Sequence, residues 1–503
     1  MFKAKIGNSI NYPTGELEQH FQTFSRHIIG HHHLFHSPYG MKKIIYADWT
    51  ASGRLYRPIE TKLTNLFGPF IGNTHTESTV TGTTTTEAYH YAKEIIKSHV
   101  HAHDSDILIS AGTGMTAAVT KLQRLLGIRA PQNIQNQIHL KEEDRPIIFV
   151  SHMEHHSNYL SWQETIGDVV MLPPGSDGSI DIDELQSLLY QYKNRKVKIG
   201  AFTACSNVTG IQTDYYQLAK IMHQHGGLCF IDFAACAPYV DIDMHPKDSL
   251  KKLDGILFSP HKFLGGPGTS GILILSKTLL KNAIPDNPGG GTVIWTDKWG
   301  DYKYASNEEE REDGGTPGFL QMIKTALTLQ LKEQMGIEEM LYREKELTAF
   351  FLPQLEKIKE ITILDNSPLH QRLSIIAFYA KDMHHHLFVK LLNDRFGIQA
   401  RGGCSCAGPY GHYLFNIDHS YSKKMANNAE AGDMSLKPGW VRISLHPVMS
   451  NKEIAFIIMA IKEILEHKDE WRKDYQYNPQ KDTFEHIRLA EVPAINMKQL
   501  FSL

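Results

Sequence analysis

The 503-residue chain is short of cysteine, of long apolar runs and of net charge, and each shortage excludes something. Its five cysteines (Cys205, Cys229, Cys236, Cys404 and Cys406) are odd in number and too sparse for a disulfide framework, so reduced thiols and a cytoplasmic location are expected. No run approaches the roughly eighteen apolar residues that a membrane helix needs. Residues 1–30 are polar and mixed in charge, without the apolar stretch of a signal peptide. A formal net charge of −3 leaves no electrostatic footprint for nucleic acid or an anionic membrane. Internal repeats are missing too, and low complexity is confined to small histidine and threonine clusters. What remains, 41% apolar and 21% charged residues, fits a soluble globular protein, and the length favours two domains.

From about residue 107 to 276, apolar runs alternate with helix-like stretches. Runs at 107–109, 147–150, 169–172, 198–203, 228–231, 255–258 and 271–275 read as short buried strands. Between them, 183–192 and 214–225 have helical spacing, opened by Asp183 and Asp214 as N-caps. This alternation predicts an α/β fold with a mostly parallel sheet covered on both faces. A charged loop at 307–313 precedes an amphipathic stretch, 318–352. That stretch leads into a second, α+β domain with strands near 373–379 and 440–445. The connection 411–438 receives no assignment.

Two residues carry the most specific chemistry. Asp232 ends one apolar run, and Lys262 follows another within Ser259-Pro260-His261-Lys262-Phe263-Leu264-Gly265-Gly266-Pro267-Gly268. Both leave strand ends, where open α/β sheets place their chemistry. A lysine beside a glycine-rich turn, with an acid one crossover away, matches the needs of pyridoxal 5'-phosphate. The lysine forms a Schiff base, and the acid keeps the pyridine nitrogen protonated so that the ring acts as an electron sink. Ser110-Ala111-Gly112-Thr113-Gly114-Met115 follows the first strand and opens a helix. On residues alone it is either a phosphate cradle or a plain tight turn.

These blocks resemble the class V aminotransferase-fold enzymes (fold type I, pyridoxal phosphate-dependent), closest to the cysteine desulfurase and selenocysteine lyase branch. The resemblance runs from about Tyr46 to Pro447 and includes Glu154-His155-His156-Ser157-Asn158, Ser206-Asn207-Val208-Thr209-Gly210, Gly314-Gly315-Thr316-Pro317 and Val441-Arg442-Ile443-Ser444. It implies a large cofactor-binding domain (46–330) with a sheet of the seven-stranded type and a small α+β domain (331–485). These are flanked by an N-terminal extension (1–45) and a tail (486–503). It also implies a homodimer. By this resemblance the phosphate is held by Gly112, Thr113, Gly114, Ser259 and His261, with Thr292 contributed across the dimer interface. His155 stacks on the ring, Asn207 faces its phenolic oxygen, and Asp232 and Lys262 keep the roles given above. Ala235 stands where relatives often carry a glutamine facing the same oxygen.

For the substrate, the resemblance assigns Arg442 to the α-carboxylate and places His75 at the site mouth, with Thr76 where sulfur-mobilising relatives commonly have arginine. Within Arg401-Gly402-Gly403-Cys404-Ser405-Cys406-Ala407-Gly408-Pro409, Cys406 falls on the catalytic cysteine of the desulfurases. On an extended backbone Cys404 would point the same way, as relay, redox partner or packed residue. The implied reaction removes sulfur or selenium from cysteine or selenocysteine, giving alanine through a Cys406 persulfide, with a sulfur-acceptor protein as a further partner. The alternatives are a class V aminotransferase, a C–S β-lyase with bystander thiols, or a non-catalytic scaffold. No metal site is expected. The clusters His31-His32-His33, His99/His101/His103 and His384-His385-His386 read as solvated surface: consecutive residues on a strand face opposite ways, and the alternating set, which could share a face, lacks the carboxylate–histidine spacing of a known zinc site.

Overall fold

The computed structural model describes residues 15–502, apart from 75, 366, 369, 370, 489–492 and 494. The chain divides into two compact units. The large unit comprises residues 49–337 and 404–417, and the small unit holds the rest.

The large unit is built on a seven-stranded sheet. Its strands are β1 (Asp106–Ser110), β2 (Ile147–Ser151), β3 (Asp168–Leu172), β4 (Lys198–Thr203), β5 (Leu228–Asp232), β6 (Gly255–Phe258) and β7 (Ile272–Ser276), in the order β1-β7-β6-β5-β4-β2-β3. The central strands are buried along their whole length, which is why they read as continuous apolar runs rather than alternations. Six strands point one way. Only β7 is reversed, pairing antiparallel with both β1 and β6. The C-terminal ends of β1, β2, β4, β5 and β6 therefore lie along one sheet edge.

The longer helices of this unit are α1 (Val80–His99), α2 (Met115–Leu125), α3 (His156–Gln163), α4 (Ile182–Gln191), α5 (Tyr215–Gln224) and α6 (Phe319–Met335). The apolar stripe of α2 (Ala118, Val119, Leu122, Leu125) and Trp162 of α3 join the strands in one core. The cap of α4 is Asp181, which accepts the Glu184 N–H, and not Asp183; the cap of α5 is Asp214 as expected. Two residues of slippage at a helix start are what a run with several acids allows, since both Asp181 and Asp183 are good caps by type.

The expected charged loop at 307–313 is a short helix, Glu308–Arg311, capped by Asn307. Three of the acids at 308–313 (Glu309, Glu312 and Asp313) are held in ion pairs. Glu309 accepts the Leu108 N–H of β1 and pairs with Lys93 and Lys97, Asp313 takes Lys93 and the Tyr89 hydroxyl, and Glu312 meets Lys121 at 2.9 Å. Charge density in the sequence here marks a network that binds α1, α2 and β1 together, so α2 presents its N-terminus from a fixed position.

In the small unit, α7 (Ile337–Glu356, from Glu338 onward) and α8 (His385–Phe396) accompany an antiparallel sheet. Its strands are β8 (Ile361–Ile363), β9 (Ile375–Ala380), β10 (Arg401–Gly403) and β11 (Trp440–Ser444), ordered β8-β9-β11-β10. The amphipathic stretch 318–352 is thus two helices, parted at Gly336, whose φ of +79° a side chain would resist. N-terminal residues also belong here, because Ile45–Tyr46 pairs in parallel with Ile398–Gln399. The unassigned connection forms α9 (Gly408–Leu414), in the large unit, and α10 (His419–Glu430), in the small one. Among the described residues no helix is long and apolar enough to cross a membrane.

Candidate active site

Along the C-terminal sheet edge, β1 leads to Gly112-Thr113-Gly114 and β6 to the lysine loop. Gly114 is the N-cap of the 11-residue α2 and offers no side-chain cap. The adjoining Met115 N–H donates to Ser259 Oγ at 2.8 Å, and His261 Nδ1 donates to the Thr113 carbonyl at 2.9 Å. A Cβ at Gly114 would lie 3.0 Å from the His261 ring and 3.2 Å from Ser259 Oγ. Glycine therefore lets the His261 ring and Ser259 close on a positive helix end, an arrangement suited to a phosphate. Lys262 ends the 3₁₀ turn Pro260–Lys262, its N–H bonded to the Ser259 carbonyl. The loop is held by backbone crowding, since a Cβ at Gly53 would overlap the Phe263 carbonyl and one at Gly266 the Pro260 carbonyl.

Asp232 ends β5 and is buried, with Oδ1 accepting the Ala234 N–H at 2.8 Å. Burial pushes its carboxyl up to about 6, while the Ala234 N–H and the nearby Lys262 charge pull it down. A buried carboxylate beside a lysine can hold the proton of a heterocyclic nitrogen. The N-terminal end of α2, this acid and Lys262 together fit pyridoxal phosphate.

His155 is the N-cap of α3, its Nδ1 accepting the Ser157 N–H at 3.1 Å. Beneath it, the fully buried Glu154 accepts from Ser151 Oγ (2.5 Å), Asn158 Nδ2 (2.7 Å) and the Thr203 N–H (2.9 Å). Burial pushes Glu154 up to about 7 against those donors. One side chain thus ties β2, α3 and β4 together and fixes the turn that carries His155.

The cysteine loop, residues 404–417, lies in the large unit, and bonds from two of the motif blocks hold it. Asn207, expected to face the cofactor's phenolic oxygen, donates through Nδ2 to the Ser405 carbonyl at 2.7 Å. An amide nitrogen carries two N–H donors, so this bond leaves the expected role chemically open. The His156 N–H donates to the Cys406 carbonyl at 2.8 Å, and the Gly408 N–H donates to His156 Nε2 at 2.8 Å. Cys406 is exposed and Cys404 is half-buried. The extended backbone expected between them is not found: Ser405 and Cys406 have φ of +49° and +58°. Two successive left-handed residues with side chains cost on the order of 1–3 kcal/mol each. The two thiols therefore do not share a face by strand alternation.

Other expected residues lie elsewhere or are differently engaged. His75 is outside the described residues. Thr292 is buried, and its hydroxyl donates to the Gly289 carbonyl of its own turn at 2.7 Å, so the proton expected to reach a partner's phosphate is used locally. In the small unit, Arg442 is buried on β11 and pairs with Asp48 at 2.7 Å, as does Arg401 at 3.0 Å. Burial lowers the Arg442 pKa, and Asp48 opposes that shift. Asp48 carried no signal as a site residue before folding. Glu154 and His156, also missed as site residues, adjoin His155 in one block, and that adjacency was the available signal.

Two of the histidine clusters are solvated surface only in part, and of the first of them His101 and His103 are exposed as expected. His99 is buried, meeting Glu333 at 2.8 Å and Lys332 Nζ at 3.1 Å. His384-His385-His386 start α8 rather than a strand, so their rings gather. His384 Nδ1 caps the His386 N–H, His386 Nε2 lies 3.3 Å from Asp482, and His385 is buried. His384, His385 and Asp482 each bring a potential ligand atom within 4.8 Å of the others, but the His384 and His385 rings are stacked, which aims their edges in parallel rather than at one ion.

The family model for aminotransferase class-V matches residues 45–456. A protein named "Probable cysteine desulfurase" from Halalkalibacterium halodurans is 27% identical over 379 residues, covering 74% of this chain and 86% of that one. A protein of the same name from Staphylococcus aureus is 29% identical over 378 residues, with coverage of 74% and 85%. The apo structure of a cysteine desulfurase from Thermococcus onnurineus superimposes with a TM-score of 0.68 at 20% identity, covering 84% of this chain and 95% of that one. The cysteine desulfurase CsdA from Escherichia coli gives 0.65 at 23% identity, with coverage of 84% and 94%. At these identities the solved structures bear on the fold alone. With its fold, its lysine loop and a family match over most of its length in agreement, the chain belongs to the aminotransferase class-V family of pyridoxal phosphate-dependent enzymes.

Proposed function

We propose that this protein is a cysteine desulfurase that uses Cys406 as its sulfur acceptor. The observation that carries the reading is the pair of bonds joining the Cys406 loop to the cofactor-side blocks: Asn207 Nδ2 to Ser405 O, and the His156 N–H to Cys406 O. A nucleophile whose backbone is tied to the residue after His155 belongs to the same chemical assembly as Lys262 and Asp232. When bound, pyridoxal phosphate supplies an electron-withdrawing ring that acidifies the α-C–H of an amino acid joined to it. Gly112, Thr113, Gly114, Ser259 and His261 would hold its phosphate, and Asp232 would keep the ring nitrogen protonated. Lys262 Nζ is the base that takes the α-proton, and Arg442 is the carboxylate partner, its guanidinium shared with Asp48. Cys406 Sγ attacks the substrate sulfur. An S–S bond forms and the C–S bond breaks, so that cysteine and thiol become alanine and a cysteine persulfide with every atom accounted for. Selenocysteine fits the same scheme, and a thiol-bearing acceptor protein would then unload Cys406.

A homodimer belongs to this reading. The hairpin Val293–Thr296/Tyr302–Tyr304 leaves Ile294, Trp295, Trp299 and Tyr302 exposed, an apolar patch of the kind that assemblies cover. Light scattering should give twice the chain mass; a monomer that retains the cofactor in full would remove the dimer from the account.

The raised pKa of Asp232 has a sign that can be checked. In cofactor-free protein the folded carboxyl titrates at about 6 instead of 3.8, so the folded state holds the proton more tightly and stability falls as pH rises across that window. Asp232→Asn should abolish this part of the fall, making the cofactor-free variant more stable than wild type above pH 6 yet poorer at retaining pyridoxal phosphate. A wild-type advantage at pH 8 by urea denaturation would contradict the assignment.

Product analysis tests the reaction itself. Wild type should release alanine from cysteine, and Cys406→Ala should lose at least about 100-fold of that rate, on the scale of losing a covalent nucleophile. Cys404→Ala should lose far less. Pyruvate with ammonia would point to a β-lyase, and consumption of a keto acid to an aminotransferase.

A further inference from the structure

We propose that His156 is a positioning residue for the Cys406 thiol. Helix α9 begins directly after the cysteine loop, and its N-cap, Ala407, has no side chain that could satisfy the first helical N–H groups. Pro409 has no N–H to satisfy. The Gly408 N–H is met from outside the helix, by His156 Nε2 at 2.8 Å. Gly408 makes this possible, because a Cβ there would sit 3.0 Å from Nε2. The backbone N–H of the same histidine holds the Cys406 carbonyl, so one residue grips the loop on both sides of Ala407. Further along, the Tyr410 hydroxyl meets Thr209 Oγ1 at 3.1 Å and its ring packs edge-on against His152, which seats α9 on the same strand ends.

The grip opposes a cost. The Ala407 N–H closes this turn on the Cys404 carbonyl at 3.0 Å, and groups from outside the loop hold the Ser405 and Cys406 carbonyls and the start of the helix that follows. Asn207 does this at Ser405, and His156 does it at Cys406 and Gly408. As an acceptor at Nε2, His156 is neutral with its proton on Nδ1. It adjoins His155, so the ring assigned to the cofactor and the ring that holds the nucleophile's loop ride on consecutive residues of one turn, itself fixed by Glu154. The catalytic consequence rests on the desulfurase reading; the positioning does not.

The experiment uses the full-length, pyridoxal phosphate-loaded protein as wild type, His156→Phe and His156→Gln. Phenylalanine keeps ring bulk and removes the acceptor, whereas glutamine offers an oxygen that can accept the Gly408 N–H. In His156→Phe, amide exchange in the peptide containing Gly408 should rise about tenfold, the ratio expected for loss of one hydrogen bond. The relative iodoacetamide alkylation of Cys406 against Cys404, read by mass spectrometry, should change by about threefold or more. Alanine release should show kcat falling about tenfold with KM for cysteine nearly constant and the visible cofactor band unchanged. His156→Gln should recover most of each effect. Unchanged exchange and alkylation in His156→Phe would overturn the inference, whatever happens to activity. The same would follow if His156→Gln behaved like His156→Phe in exchange and alkylation while both kept the cofactor band. Altered exchange and alkylation in a protein whose wild type makes no alanine would sustain the positioning and refute the desulfurase reading alone.

Discussion

Burying Asp232 at the end of β5 is the constraint on which the site depends. A carboxylate removed from water is stable only beside compensating groups, and here these are the Ala234 N–H and the charge of Lys262. Lys262 must therefore leave the neighbouring strand β6 at the same sheet edge, and the parallel pairing of β5 with β6 guarantees that it does. The crowded glycines around Phe263 and Pro260 then hold the lysine turn so that the amine stays near the acid. Without a cofactor, burial favours the neutral acid, so the ionised form gains most when a protonated ring nitrogen stands beside it.

A second layer of order comes from buried groups that touch no substrate. Glu154 gathers donors from two strand ends and a helix, which makes the block at 154–158 rigid. That block serves two ends: the proposed stacking of His155 on the cofactor, and the bonds by which His156 holds the cysteine loop. On the other side of the sheet edge, α2 is anchored through Lys121 to Asp286 and Glu312. The glycine turn before α2 and the cysteine loop are thus fastened by different networks, one ionic and one made of directional hydrogen bonds.

Much of the large unit was legible because its strands are buried on both faces and read as unbroken apolar runs; β2, β4 and β6 fall where the runs at 147–150, 198–203 and 255–258 placed them. The reversed β7 was not legible, since strand direction leaves no mark on composition. The acids at 307–313 read as a solvated loop because charge density does not reveal its partners, and those partners, Lys93 and Lys121, lie about 200 residues away in the chain. At the site, the sequence placed Asp232 and Lys262 at strand ends, where they lie, but the backbone of Ser405 and Cys406 could not be foreseen, as neither residue favours φ > 0. Asp48 was invisible for a related reason: its role comes from standing between Arg401 and Arg442, which only the folded sheet brings side by side. The histidine run at 384–386 misled because the strand argument was applied to residues that begin a helix.

The central claim is that sulfur leaves cysteine onto Cys406, and a single turnover measures it most directly. The loaded protein would be mixed with less than one equivalent of cysteine, quenched by alkylation, and mapped by mass spectrometry beside quantified alanine. The account predicts one added sulfur on the Cys406 peptide, equal in amount to the alanine formed, with none on Cys404. Alanine absent and pyruvate present, with no sulfur bound to the protein, would contradict it.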